Sequence, residues 1–249
     1  MIARHARYGR VAGIGLAVLV AFFSGNCAAE VRSPDRAVEI VGSVLQAYGG
    51  TKAVAKIRSV KATGSIAEFM TGRSGAYARY LERPGKLRIE IMPGQEGEVR
   101  ILDGGRGWQL GRSGFEASNP VMVQSMVYQY CYLDLPMGFA DGSYPVSYGG
   151  VHKLGNRETY QLNLRLKNAP ELHVFIDTKS RLIVRVSSRF AMGGMGVGEL
   201  ATEYGDFRAV DGVLFPHRLT NYAGDVKLSE IDLSEISVNG KIPASLFAP

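Results

Sequence analysis

Residues 33–50 read SPDRAVEIVGSVLQAYGG, and the reading of the whole chain turns on them. Ser33 is an N-cap residue type, Pro34 suits the first helical turn, and Asp35 puts a negative charge at the positive end of the helix dipole. Val38, Val41, Val44, Leu45 and Tyr48 recur at helical spacing and make one apolar stripe. Gly49-Gly50 supplies the stop. Almost everything after it reads as short strands. An amphipathic helix beside a strand meander must bury its stripe against the apolar face of that meander. The pattern predicts a curved antiparallel sheet wrapped around this helix.

Upstream, Arg4, Arg7 and Arg10 precede an unbroken, mostly apolar run, Val11–Phe23, that is short for a membrane span. Cys27-Ala28-Ala29 then places small residues at −3 and −1 of a cleavage site before Glu30. Residues 1–29 therefore read as a signal peptide, and 30–249 as one soluble domain in the periplasm. Two other readings stay open: a retained N-terminal anchor, and lipidation of Cys27. For lipidation, Ser24 and Asn26 stand where processing prefers Leu and a small residue. If cleavage follows Ala29, Cys131 is the remaining cysteine. It cannot form an internal disulfide, and its apolar surroundings read as core, with a redox or catalytic role as the alternative.

The leader carries three of the six formal net positive charges and no acidic residue. What remains is no nucleic-acid footprint, and no Lys/Arg run supplies one. Glycine is abundant, 31 of 249 residues, against a usual ~7%, which suits a chain of many turns.

A short helical turn is predicted over Thr51–Ile57. Strands follow at Val60–Phe69, Ala76–Leu81 and Lys86–Met92, the last with Leu87, Ile89 and Ile91 on one face and Arg88 and Glu90 on the other. Val99–Leu102 and Gly107–Leu110 flank Asp103-Gly104-Gly105. The period then changes. Met122, Met126, Tyr130 and Leu133 recur at helical spacing behind Asn119 and Pro120, predicting a second amphipathic helix over Asn119–Leu133 and a loop over 136–142. Strands resume near Pro145 and continue through Leu200–Phe207, Leu214–Tyr222 and Val226–Val238. The fold class is mainly β with a few helices, an antiparallel sheet of about eleven strands. A sheet that wide encloses more room than two helices fill, which predicts an apolar concavity; a packed sandwich is the alternative that periodicity leaves open. Between two of the strands, Phe190–Gly198 holds four glycines and the apolar Phe190, Met192, Met195 and Val197 without a charge. It reads either as a plug folded into the barrel end or as an apolar lip at a cavity mouth.

Signals for enzymatic chemistry are poor. His152, His173 and His217 stand apart, without metal-ligand spacing, and no G-x-S-x-G elbow occurs. Gly196–Ala201 loosely matches a dinucleotide fingerprint but lacks the strand and helix that motif needs. Asp177, Asp206 and Asp211 sit at turns. No catalytic residue, metal or cofactor is assigned.

Three local motifs carry a resemblance: Arg83-Pro84-Gly85-Lys86-Leu87-Arg88 between two strands, Asp103-Gly104-Gly105-Arg106-Gly107-Trp108, and the hairpin from Ile176-Asp177 to Arg181-Leu182. With the helix-first layout and the ending Ile242–Phe247, the chain resembles the LolA/LolB-like periplasmic lipoprotein-localisation proteins. The resemblance implies an unclosed antiparallel β-barrel covered by a helical lid, which holds lipid or lipoprotein acyl chains and hands them between inner- and outer-membrane transport components. It also implies that Arg83, the arginine before the proline, latches the lid. The remaining cavity or lip candidates are Val41, Leu45, Met122, Met126, Tyr130, Phe190, Met192 and Met195. A monomer is expected. The chain is longer after the second helix than the carrier and lacks its terminal extension, so a sister role stays open, as does a sensory or scaffold module of the same fold in envelope-stress signalling.

Overall fold

A computed structural model describes residues 33–92, 97–166, 170–191 and 197–249. The leader, with Cys27 and the cleavage site after Ala29, lies outside the described residues. The elements below belong to one compact unit, Arg32–Pro249.

Helix α1 spans Ser33–Ala47 and α2 Thr51–Val54. Six strands follow: β1 Ser59–Glu68, β2 Ser74–Glu82, β3 Lys86–Met92, β4 Glu98–Asp103, β5 Arg106–Gly111 and β6 Gly114–Ala117. Helix α3, Pro120–Ala140, separates them from seven more: β7 Val146–Leu154, β8 Arg157–Leu164, β9 Leu172–Asp177, β10 Ile183–Ala191, β11 Val197–Val210, β12 Val213–Ala223 and β13 Val226–Val238. All thirteen form one antiparallel sheet in the order β6-β5-β4-β3-β2-β1-β13-β12-β11-β10-β9-β8-β7. The sheet is open, with β6 and β7 as its edges. The count exceeds the expected eleven partly because β6, Gly-Phe-Glu-Ala, has only four residues and no alternation to read.

The predicted stripe of α1 is rotated in the structure. Ala37, Ile40, Val44, Leu45 and Tyr48 are buried and Val41 is half-buried, while Val38 is 69% exposed. At 3.6 residues per turn Val38 stands a quarter turn from the centre of the buried face, which Ile40 fills instead. The helix ends as expected. The Gly50 amide donates to the Leu45 carbonyl at 2.8 Å, and Gly49 has φ 117°. A Cβ on Gly49 would stand 2.1 Å from the Gly212 carbonyl oxygen, in the β11–β12 turn. The Leu214 amide donates to the Tyr48 carbonyl at 3.0 Å. The end of α1 is thereby keyed into the far wing of the sheet.

Helix α3 starts where predicted, with the Asn119 side chain accepting from the Met122 amide at 2.9 Å. It does not stop at Leu133. It runs through Pro136 to Ala140, so the expected loop over 136–142 is mostly helix. Pro136 has no N–H for the Tyr132 carbonyl four residues earlier. The Tyr204 hydroxyl, from β11, donates to that carbonyl at 2.9 Å instead. The C-terminal half of α3 is apolar nearly all round, and a helix of that kind is buried; Leu135, Met137 and Phe139 are all in the core. In sequence α3 leaves edge strand β6 and enters opposite edge strand β7, so the segment linking the two edges of the open sheet is also its cover.

Candidate functional site

Along β2 the alternation brings Tyr77, Arg79 and Leu81 to the buried inner face. The next position of the same phase is Arg83, just past the strand end. Its Nε lies 2.6 Å from Asp134 Oδ1, and its Nη2 donates to Asp141 Oδ2 at 2.9 Å. The Tyr144 hydroxyl donates to Asp134 Oδ2 at 2.7 Å, and the Ser143 amide donates to Asp141 Oδ1 at 3.0 Å. The turn after β2 is thus bound to the C-terminal end of α3. The Arg83 and Asp134 side chains are only 7% and 2% exposed. Gly138 lets the Tyr144 ring reach Asp134, because a Cβ there would stand 2.0 Å from the ring.

The charges respond to this enclosure. Burial pushes the Asp134 carboxyl up to about 6, outweighing the guanidinium beside it. Burial works against the charge on Arg83 as well, but its two carboxylates hold it above its ordinary value. Asp141, nearer solvent, ends below the usual carboxylate range: burial raises it, but the hydrogen bonds from Ser143 and the charge and hydrogen bond of Arg83 together outweigh that.

Under the N-terminal half of α3 lies a cavity of about 240 Å³. Ser125, Tyr128, Gln129 and Tyr132 roof it. Ile66, Ile89, Ile91 and Ile231 supply apolar walls, with Arg100, Thr202 and Asn221 among the polar ones. Toward α1 a second space shares Tyr132 and is lined by Tyr48, Arg79, Pro136, Tyr204 and Phe215. It measures about 30 Å³, room for a single water.

No protein-family model and no curated protein matches the chain. Solved structures do. The chain is similar to an outer membrane lipoprotein-sorting protein domain from Vibrio parahaemolyticus, at 12% identity and TM-score 0.57 over 86% of this chain and 97% of that one. It is similar to a LolA superfamily protein from Nitrosomonas europaea, at 14% identity and TM-score 0.52 over 83% and 96%. A DUF1329 family protein from Desulfovibrio piger matches at 11% identity and TM-score 0.50, over 86% and 97%. The chain has the LolA-like fold.

Within this LolA-like fold the sequence-predicted residues fall in three places. Arg83 sits between the β2–β3 turn and α3. Leu45, Met126, Tyr130 and Phe190 are buried in the core, with Val41 and Met122 half-buried against it. None of these six lines the 240 Å³ cavity. Phe190 meets the Tyr128 ring edge-on at 5.4 Å between centroids. Met192 and Met195 lie outside the described residues, so most of the predicted lip does too.

Sequence reasoning passed over Asp134, Arg79 and the helix face bearing Tyr128 and Tyr132. A signal existed for Asp134, the only charged residue between Pro120 and Ala140. For Arg79 it was the break in an apolar inward phase, Tyr77–Arg79–Leu81. The Cys131 thiol is buried, and burial pushes it up to about 12, far from a thiolate at neutral pH. The described histidines pair with amides or carbonyls: His152 with the Gly149 carbonyl, His173 with Asn163 and Gln161, and His217 with the Phe215 carbonyl. Among the described residues no helix is long and apolar enough to cross a membrane.

Proposed function

We propose that this chain is a periplasmic carrier that holds lipid or lipoprotein acyl chains beneath α3, delivers them between membrane components, and does no chemistry on them. The observation that carries the reading is the 240 Å³ cavity between the sheet, which gives it four isoleucines among its walls, and a helix whose far end is pinned by Arg83. A roof fixed at one end can part from the sheet at the other without unfolding the core. Arg83 is then the latch: its rigid fork of donors faces one carboxylate of α3, Asp134, and one at its C-cap, Asp141. The leader supplies the route of export and is removed before Glu30. The LolA-like fold of the lipoprotein-sorting domain supports the class of cargo.

Two measurements test this. Native mass spectrometry of protein isolated from the periplasm will show added mass from retained lipid, on a polypeptide that begins at Glu30. A fluorescent apolar probe will bind the purified protein and be displaced by lipid. Absence of both retained mass and probe binding defeats the carrier reading, and a diacylglycerol adduct on Cys27 would make the protein membrane-anchored instead.

A further inference from the structure

The geometry points to a second binding site, on the face of the sheet turned away from α3, for a hexose-sized polar molecule that carries a phosphate or carboxylate. Strand alternation builds it. Leu162 and Leu164 of β8, Leu172, Val174 and Ile176 of β9, and Val186 and Phe190 of β10 are buried in the core. The positions between them take the other face: Gln161, His173, Phe175, Arg185, Ser187 and Arg189. These six line an open groove of about 870 Å³, together with residues of the β7–β8 hairpin and of β11.

Ser187 lies at the floor of the groove. It is only 3% exposed: Arg185 and Arg189 stand two residues to either side on β10, and His173 stands opposite it on β9. Among the described residues its hydroxyl makes no hydrogen bond, whereas the next residue, Ser188, donates to the Glu171 carbonyl at 2.8 Å. A buried hydroxyl without a partner is costly, and this one faces a groove from which a ligand can supply the partner. His173 is fixed beside it. Its Nδ1 lies 2.9 Å from Asn163 Oδ1 and 3.1 Å from Gln161 Nε2, which leaves its Nε2 without a partner among the described residues.

The charges that line the groove leave a positive surplus. Arg185 takes up two carboxylates, with Nη1 2.9 Å from Glu203 Oε1 and Nη2 3.2 Å from Glu199 Oε1. Against the one remaining carboxylate, Asp225, stand Lys153, Arg157 and Arg189, none of them in an ion pair among the described residues. Arg189 shares a strand and a face with Ser187, so a guanidinium, a hydroxyl and an imidazole nitrogen flank one position. That set of donors suits an oxyanion. The groove is far larger than a bare ion needs, and Gln161, Phe175 and the paired glutamates suit a polar body with one apolar face. An acyl chain here would strip these polar groups of water and give them no partner. The cargo is therefore of a different class from that of the cavity under α3.

The test is calorimetric titration of the purified protein with glucose 6-phosphate, glucuronate, glucose and inorganic phosphate, on the parent, Arg189→Gln and Ser187→Ala. The parent will bind glucose 6-phosphate or glucuronate at least about tenfold more tightly than glucose, the ratio a charge-assisted hydrogen bond gives. Both variants will lose that preference while they melt at or above the parent and bind the apolar probe as the parent does. Arg189 is exposed, so Arg189→Gln carries the test even where Ser187→Ala costs stability. Equal binding of glucose and the two anions, or no binding of either anion, overturns the inference, and so does an unchanged preference in a folded variant. Inorganic phosphate bound as tightly as glucose 6-phosphate overturns it in favour of a bare-anion site. Displacement of the apolar probe by glucose 6-phosphate puts the anion under α3 and overturns it too. Failure of the apolar probe to bind removes the carrier reading and leaves this site standing, because the two lie on opposite faces of the sheet.

Discussion

The two halves of α3 are built on different terms. From Tyr130 onward the helix is enclosed, ion-paired to Arg83 through Asp134 and Asp141, and repaired at Pro136 by the Tyr204 hydroxyl. Before Tyr130 it is less enclosed: Val121 is exposed and Met122 and Ser125 are half-buried, and although Met126 and Tyr128 reach the core, a cavity lies under this half. One helix thus serves as core at one end and roof at the other. Rigidity is concentrated where the polar contacts are, and what yields must yield at the N-terminal end.

The most severe way to break this contrast is Arg83→Leu. It leaves Asp134 buried without its cation, which costs about 3–5 kcal/mol and shows as a large fall in the denaturant midpoint. Arg83→Leu with Asp134→Leu should recover much of that loss, since removing both charges leaves neither unpaired. If the single variant is as stable as the parent, the pinned end is not pinned. The same pair sharpens the contrast through pH. In the folded protein Asp134 holds its proton up to about 6, against 3.8 for an ordinary aspartate. The folded state therefore binds the proton more tightly than the unfolded state. This group's contribution is largest below the ordinary value, declines as pH rises toward about 6, and is flat above. Asp134→Asn lacks that decline, so its melting temperature should gain on the parent's between pH 4 and 6 and run parallel from 7 to 8. Parallel curves throughout would mean that Asp134 titrates normally.

A smaller effect is expected of Tyr204→Phe. It keeps the ring but strands the Tyr132 carbonyl in the break left by Pro136, at about 1–3 kcal/mol. Restoring an amide donor by Pro136→Ala in that background should recover part of the loss; no recovery would mean that the two are not linked. At the open end stability should hardly respond. Ser125→Trp fills the roof of the cavity and should stay within about 0.5 kcal/mol of the parent, yet weaken probe binding at least about tenfold. A strongly destabilised Ser125→Trp would show that the roof is packed like the anchor.

What the sequence made legible was local. The signals at Gly49-Gly50, Asn119-Pro120 and Asp211-Gly212, and the alternation in Lys86–Met92, depend on neighbouring residues and match the structure closely. What stayed hidden depends on distant ones. Pro136 reads as a helix stop until Tyr204, 68 positions later in the chain, supplies the missing donor. Arg83 could be singled out by its motif, but not that its partners are Asp134 and Asp141. The six described cavity candidates were picked by apolarity, which finds the core; the cavity itself is lined by a mixed set that apolarity does not rank. Val38 shows the same limit on a smaller scale, since the stripe read from Val38, Val41, Val44, Leu45 and Tyr48 took in an exposed residue and left out Ile40.

The pairing of β1 with β13, in register from Val60 opposite Val238 to Glu68 opposite Ser229, also has a kinetic meaning. The first strand made is completed by the last. Until β13 emerges, β1 is an edge with unpaired backbone groups, and the two wings have no seam between them. Closing it joins residues nearly the length of the domain apart, the kind of contact that makes folding slow. The sheet is therefore completed only when its last strand has been made.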